Sequence, residues 1–80
     1  DSGAVLVKIN KFLNWCCVLT PVTSLDGSRV WMHALKDGYV AEKLCDDYIQ
    51  KQINRDDDLW VLEIEDPKNL YQLDAPLMAL

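Results

Sequence analysis

The sequence predicts an α+β domain in which one main helix crosses a mixed β-sheet. A turn signal at Asp26-Gly27 separates two runs that are rich in β-forming residues. A run with helical periodicity follows, and an alternating apolar run comes after the acidic residues 56–58. Eighty residues form one domain at most, so residues 1–80 are interpreted as a single domain.

The first predicted element is a β-hairpin. Residues 14–20 and 29–35 are rich in β-branched and aromatic side chains, and residues 25–28 form the connection between them. Alternation along the second strand places Val30, Met32 and Ala34 on one face and Arg29, Trp31, His33 and Leu35 on the other. With the first set packed on the helix, the second lies on the opposite side of the sheet.

The next predicted element is a helix from Tyr39 to about Gln52, with Asp37 or Gly38 as its N-cap. Its apolar residues recur at i, i+3 and i+4, at Val40, Ala41, Leu44, Cys45, Tyr48 and Ile49. Charged and polar residues occupy the remaining positions, among them Glu42, Lys43, Asp46 and Asp47. We therefore expect Leu44 to be buried and these charged side chains to face solvent.

Two further strands are predicted after a solvated loop at residues 54–58. In residues 59–65 the alternation places Trp60, Leu62 and Ile64 on a core face, and residues 70–73 are interpreted as a short strand. The secondary structure of residues 1–13 is not assigned, because residues 4–13 fit either a strand or the start of a helix. The order hairpin, helix, strand, strand is that of a β-grasp, with one sheet face under the helix and the other exposed to solvent.

Composition excludes several kinds of partner. Eight Lys and Arg against 13 Asp and Glu give a net charge of −5, which argues against nucleic acid and anionic membranes. No apolar run approaches the roughly 20 residues of a membrane span. Cys16, Cys17 and Cys45 lack zinc-ligand spacing, so we expect reduced cysteines in a cytoplasmic protein with no metal and no cofactor.

No catalytic residues are predicted. His33 is the single histidine, and nothing in the sequence marks a cysteine beside it as an activated nucleophile. We therefore expect a binding module, not an enzyme, and a monomer when the domain is isolated. The missing initiator Met and the end at Leu80 suggest a domain excised from a longer protein.

Three stretches, at residues 39–45, 57–64 and 70–77, resemble Ras-association domains of the ubiquitin-like superfamily. The second is similar to an acidic-x-Trp-x-Leu-x-Glu strand, and the third resembles an apolar strand followed by an acidic turn. The first lobe of FERM domains has similar features. The resemblance implies a ubiquitin-like fold and a protein-interaction module of a larger signalling protein, which binds a GTP-loaded Ras-like GTPase. The alternative is a structural lobe that packs on neighbouring domains without binding a GTPase.

The resemblance also implies where a partner would bind. The strand at residues 29–35 would form the sheet edge, and Arg29, Lys36 and Lys43 would meet acidic switch regions of the GTPase. His33 lies on the same strand face as Arg29 and is also predicted to contact the partner. For Trp31 two interpretations stay open: an anchor for a partner on the exposed sheet face, or packing under the N-terminal segment.

Overall fold

The structure, a computed structural model, describes residues 4–78. These residues form one mixed five-stranded sheet and one helix, which confirms the predicted α+β class. The elements are β1 (Val5–Asn10), β2 (Trp15–Thr23), β3 (Arg29–His33), β4 (Val40–Ala41), α1 (Glu42–Arg55) and β5 (Trp60–Glu65). Within the described part of the chain, no helix has the length and apolar character needed to cross a membrane.

The strand order is β3-β2-β1-β5, with β4 paired to the start of β2. The first three strands form an antiparallel meander, and β5 lies parallel to β1 after the crossover through α1. The ambiguous N-terminal segment is thus a strand over residues 5–10, at the centre of the sheet. The predicted hairpin turn is confirmed: Gly27 has φ 88°, and the Asp26 carboxylate accepts the Ser28 N–H at 3.0 Å.

Both faces of the sheet carry a hydrophobic core. The core under the helix contains Leu6, Cys16, Val18, Val40, Cys45 and Ile49, and the core on the other face contains Val7, Ile9, Cys17, Leu19 and Trp31. Leu73 and Ala75 pack on the second core. The expectation of a solvent-exposed face was therefore wrong, because residues 66–78, here called the C-terminal segment, cover it.

The C-terminal segment contains no strand at residues 70–73, contrary to the prediction. The Asp66 carboxylate accepts the N–H groups of Leu70 at 2.7 Å and Tyr71 at 3.2 Å, so these groups bond to a side chain instead of a neighbouring strand. Burial alone would raise the pKa of Asp66, but these hydrogen bonds and Lys11 lower it. A buried carboxylate thus shapes the chain where it leaves β5.

The helix begins later than predicted and presents a different face to the sheet. Val40–Ala41 pair with the start of β2, so α1 begins at Glu42 and Ala41 is its N-cap. Cys45 and Ile49 are buried, whereas Leu44 is 55% exposed. Successive helical residues are about 100° apart, so a helix that buries Cys45 turns Leu44 away from the sheet. The prediction of a buried Leu44 was wrong.

Trp60 is also exposed, at 71%, contrary to its predicted place in the core. It lies on the face opposite the helix, as its alternation with Ile64 requires. On β5, however, the side chains that pack on this core are limited to Ile64 at the far end of the strand. Alternation gave the correct face for Trp60, but an edge strand is covered over only part of its length.

Candidate functional site: an acidic groove beside an apolar loop

The connection between β1 and β2 exposes three large apolar side chains. Phe12 is 62% exposed, Leu13 87% and Trp15 52%. The turn is closed by hydrogen bonds from Lys11 N–H to Trp15 O at 2.8 Å and from Trp15 N–H to Phe12 O at 3.3 Å. Clustered exposed apolar side chains mark interaction sites. Residues 11–15 are called the apolar loop below.

The backbone of the apolar loop is strained. Leu13 has φ 58° and Asn14 has φ 61°, and the left-handed region is unfavourable for a residue such as Leu. The helix holds the loop in place, because Glu42 N–H donates to Asn14 O at 2.7 Å. Two successive residues with φ of about 60° are typical of a type I′ hairpin turn, so the strain lies in having Leu where Asn, Asp or Gly is usual.

Carboxylates line a groove beside this loop. Glu42 is the first residue of α1, and Glu63 and Glu65 lie on β5, where alternate positions share one face. Together with Asn10 and the apolar loop they enclose a groove of about 230 Å³, called the acidic groove below.

A buried ammonium lies behind the acidic groove. Lys8 Nζ is 2.8 Å from Glu42 Oε2, 2.7 Å from Asp46 Oδ1 and 3.7 Å from Glu63 Oε2. Burial would lower the pKa of Lys8, but hydrogen bonds to Asp46 and Glu42 outweigh it and raise the pKa, so the side chain stays charged. Three carboxylates around one ammonium leave this surface negative.

The predicted partner anchor, Trp31, is instead a core residue. It is 3% exposed, and its Nε1–H donates to Asp74 Oδ1 at 2.9 Å. The Arg29 guanidinium lies 4.9 Å from the Trp31 ring. Trp31 is therefore buried, as the second interpretation expected, but the segment that covers it is the C-terminal segment and not the N-terminal one.

The free edge predicted at residues 29–35 is partly occupied. Trp31 N–H donates to Pro76 O at 2.8 Å, and Met78 N–H donates to Trp31 O at 2.7 Å. The C-terminal segment therefore takes the backbone groups that a docking strand would need at the middle of β3.

The predicted cations do not form one patch. Lys43 lies on α1, where it pairs with Asp47 at 3.0 Å, whereas Arg29 stacks on the opposite side of the sheet. Lys36 is exposed in the connection between β3 and β4. Convergence of these three residues was the feature expected of a GTPase-binding edge, and it is absent from the described residues.

His33 lines a second cavity, of about 200 Å³, beneath the C-terminal segment. Its Nδ1 is buried without a hydrogen-bond partner among the described residues, and burial lowers the pKa of His33. The ring of Tyr39 lies edge-on to it at 6.3 Å, and Lys11 Nζ is 5.5 Å from the Tyr39 ring. Burial also raises the pKa of Cys17, so its thiol stays protonated, the opposite of what a nucleophile needs.

The acidic groove was not predicted from the sequence. The alternation of residues 59–65 gave no role to Glu63 and Glu65. Residues 11–13 of the apolar loop were left between a strand and a helix start, and residues 14 and 15 were assigned to the first strand of the hairpin. Phe12 and Leu13 precede an Asn, a residue that tolerates a left-handed turn, and a run of β-formers follows. This is the signal that would have placed two apolar side chains at the tip of a hairpin.

The described fold is that of a small α+β domain with a mixed sheet. The chain matches the family model described as "Protein of unknown function (DUF1491)" over residues 1–74. It therefore belongs to the DUF1491 family.

Two solved structures resemble this chain, and both are DUF1491 family proteins from Caulobacter crescentus CB15. The crystal structure is 32% identical, with a TM-score of 0.81, over 95% of this chain and 70% of that one. The NMR structure is 32% identical, with a TM-score of 0.76, over 96% of this chain and 69% of that one. No curated protein matches this chain.

The Ras-association resemblance was therefore wrong, and with it the assignment to the ubiquitin-like superfamily, to FERM lobes and to GTPase signalling. The three stretches that carried it are an amphipathic helix start, an alternating strand and an acidic turn. These patterns follow from secondary structure itself, so they recur in unrelated α+β domains.

Proposed function

We propose that this protein is a non-catalytic protein-interaction module that binds a basic segment of a partner protein in the acidic groove. One observation carries the proposal: Phe12, Leu13 and Trp15 are exposed beside a groove lined by Glu42, Glu63 and Glu65. Aromatic side chains are enriched at the centres of protein interfaces, and complementary charge beside them steers and orients the partner.

The size of the acidic groove favours a side chain over a cofactor. Its volume of about 230 Å³ is below the ~300–1,000 Å³ typical of small-molecule sites. The cavity beneath the C-terminal segment, about 200 Å³, is smaller still. A groove of this size holds one long side chain while the rest of the partner lies across the apolar loop.

The charges favour an Arg or Lys side chain. Among the described residues, no hydrogen bond or ion pair engages the Glu65 carboxylate, which leaves it available to a partner. Glu63 has Asn10 and the more distant Lys8 as its partners. An incoming cation would be attracted by the acidic groove and by the net charge of −5. An apolar residue next to that cation would pack on Phe12 and Trp15.

The cysteines support a non-catalytic role in the cytoplasm. All three are free and buried, as in proteins of a reducing compartment. Burial raises the pKa of Cys45 to about 12, so this thiol is unreactive near neutral pH.

Titration with fluorescent octapeptides tests the proposal. One peptide carries Arg next to Leu and Phe, and a second carries Glu in place of Arg. We expect the first to bind with a Kd of tens of micromolar, about −6 kcal/mol, and the second not to bind. Higher salt should weaken the binding, because exposed charges are screened.

Matched variants locate the site. Glu65→Lys and Trp15→Ala should each weaken binding about tenfold, equivalent to ~1.4 kcal/mol. Asp57→Lys makes the same charge change in the exposed loop after α1 and should leave binding within about threefold. Equal losses for Glu65→Lys and Asp57→Lys would mean that general charge, not the acidic groove, attracts the peptide.

A further inference from the structure

The outer edge of β5 has no strand beside it among the described residues. Trp60 N–H donates to Ala4 O and Asp66 N–H donates to Asn10 O, so the main-chain groups of even-numbered residues point toward β1. In an extended strand alternate residues point to opposite edges. The N–H and C=O groups of Val61, Glu63 and Glu65 therefore point outward.

The side chains on this edge are apolar on one face and acidic on the other. Trp60 is 71% exposed and Leu62 is 50% exposed, on the face that also carries Ile64. Natural edge strands are usually protected by charged side chains, Pro, a bulge or a covering loop. The two charges of β5, Glu63 and Glu65, both lie on one face and leave the face of Trp60 and Leu62 without a charge. The sequence of β5, WVLEIE, contains neither Lys nor Pro.

We infer that β5 pairs with β5 of a second copy of this chain, antiparallel about a two-fold axis at Leu62. This register places Leu62 opposite Leu62 of the second copy and Trp60 opposite Ile64, which forms an apolar strip on one face. Val61 and Glu63 then face each other as a hydrogen-bonded pair, formed by the groups that point outward.

Several antiparallel registers would keep the apolar side chains of both copies on the same face of the joined sheet. Charge and the length of the pairing favour the axis at Leu62. An axis at Glu63 would place two Glu63 carboxylates directly opposite each other, which is destabilising. An axis at Val61 would pair only residues 60–62 of β5 with one another, which is a shorter pairing. The axis at Leu62 pairs residues 60–64 of β5 with one another and opposes no two like charges among them, so this part of β5 is complementary to itself. An isologous two-fold pairing of this kind closes the edge in both copies.

The contact is small, so the dimer is weak. Two six-residue strands bury less than the roughly 1,000 Å² of a stable interface. This inference replaces the expectation of a monomer. The dimer would form through the backbone edge of β5, whereas peptide binding would involve the Glu63 and Glu65 side chains and is measured separately.

Sedimentation equilibrium at protein concentrations from about 5 to about 500 µM tests the inference. This range of about 100-fold is chosen to span a micromolar Kd for the dimer. The apparent mass should rise from 9.2 kDa toward twice that value. Leu62→Lys, which opposes two ammonium groups at the axis, should keep the chain monomeric throughout. Leu44→Lys makes the same change at a similarly exposed site on α1 and should dimerise like the wild type.

Val61→Pro provides a second, backbone-level test. It removes one outward N–H that has no partner within the described chain, and proline is tolerated at such an edge position. We expect it to remain folded by circular dichroism and to be monomeric. A wild type that stays at 9.2 kDa to 500 µM, or a dimer that survives both edge variants, overturns the inference. Loss of dimerisation in Leu44→Lys to the same degree as in Leu62→Lys would also overturn it.

Discussion

Lys8 is a buried cation in the middle of a central strand. It lies on the face of β1 that packs under the helix, and it is paired with Glu63 in the parallel register. A buried position on a central strand is usually apolar. The position of Lys8 explains why Glu42 and Asp46 point toward the sheet, although the sequence placed both on the outer face of the helix. One side chain thus joins β1, α1 and β5 behind the acidic groove.

Replacing Lys8 by Met, which keeps the volume but removes the charge, should destabilise the fold. The three carboxylates would then repel one another without a counterion. We expect a loss of about 1–3 kcal/mol, below the 3–5 kcal/mol of a fully buried pair, because these carboxylates are partly hydrated. Urea unfolding at pH 7 measures the change. Unchanged stability would mean that the cluster contributes nothing to the fold.

His33 makes stability depend on pH. Burial lowers its pKa, so the folded state binds a proton less readily than the unfolded state, whose histidine titrates near 6.5. As the pH falls below about 6.5, the unfolded state takes up a proton that the folded state resists, and the free energy of unfolding decreases. Above that pH the histidine is neutral in both states and has no such effect.

His33→Asn should flatten this pH dependence between about pH 6.5 and 5. Unfolding in urea at half-unit pH intervals, for both proteins, measures the difference. Asp66 does not obscure the result, because its lowered pKa places its own destabilising protonation at more acidic pH. Parallel curves for the two proteins would show that His33 is not responsible.

At the level of elements, the helix was predictable but its rotation was not. Periodicity identified α1, yet the stripe that faces the sheet is Glu42, Cys45, Asp46 and Ile49, of which two residues are charged. Sequence patterns treat charged residues as outward-facing, and no local signal links Glu42 to a lysine 34 residues earlier. A long-range ion pair therefore overrode the amphipathic pattern.

A pair of substitutions tests the observed rotation. Ile49→Ala should cost about 2–5 kcal/mol, because Ile49 is buried in the core under the helix. Leu44→Ala should cost at most about 0.5 kcal/mol, because the side chain is mostly exposed. Thermal or urea unfolding of both variants gives the comparison. A larger loss for Leu44→Ala than for Ile49→Ala would contradict the structure.

The strands show the same division between local and long-range information. The hairpin turn at Asp26-Gly27 and the strand at residues 59–65 follow from local patterns. The burial of β5 side chains and of Trp31 depends on the path of the C-terminal segment, whose sequence has no helical or strand periodicity. The acidic groove likewise combines residues from elements that are distant in sequence. The sequence shows each of these residues, but it does not show that they lie next to one another.

At the scale of the whole molecule, charge and exposed apolar surface are unevenly distributed. The acidic groove and the apolar loop adjoin the end of the sheet where β1 and β5 finish, while Trp60 lies at the other end of β5. Both surfaces include part of β5, because the Glu63 side chain lines the acidic groove while its backbone lies on the edge that would pair with a second copy. The structural relatives extend beyond the matched region, which covers about 70% of their length.

An amide chemical-shift titration with the Arg-containing peptide tests, residue by residue, whether the peptide binds in the acidic groove. Shifts should concentrate at residues 11–15, at Glu42 and at residues 63–65, together with the indole N–H of Trp15. The Glu65→Lys variant should lose them. Shifts confined to His33 and the C-terminal segment would contradict binding in the acidic groove. So would the absence of shifts at millimolar peptide, because the binding free energy would then be weaker than about −4 kcal/mol.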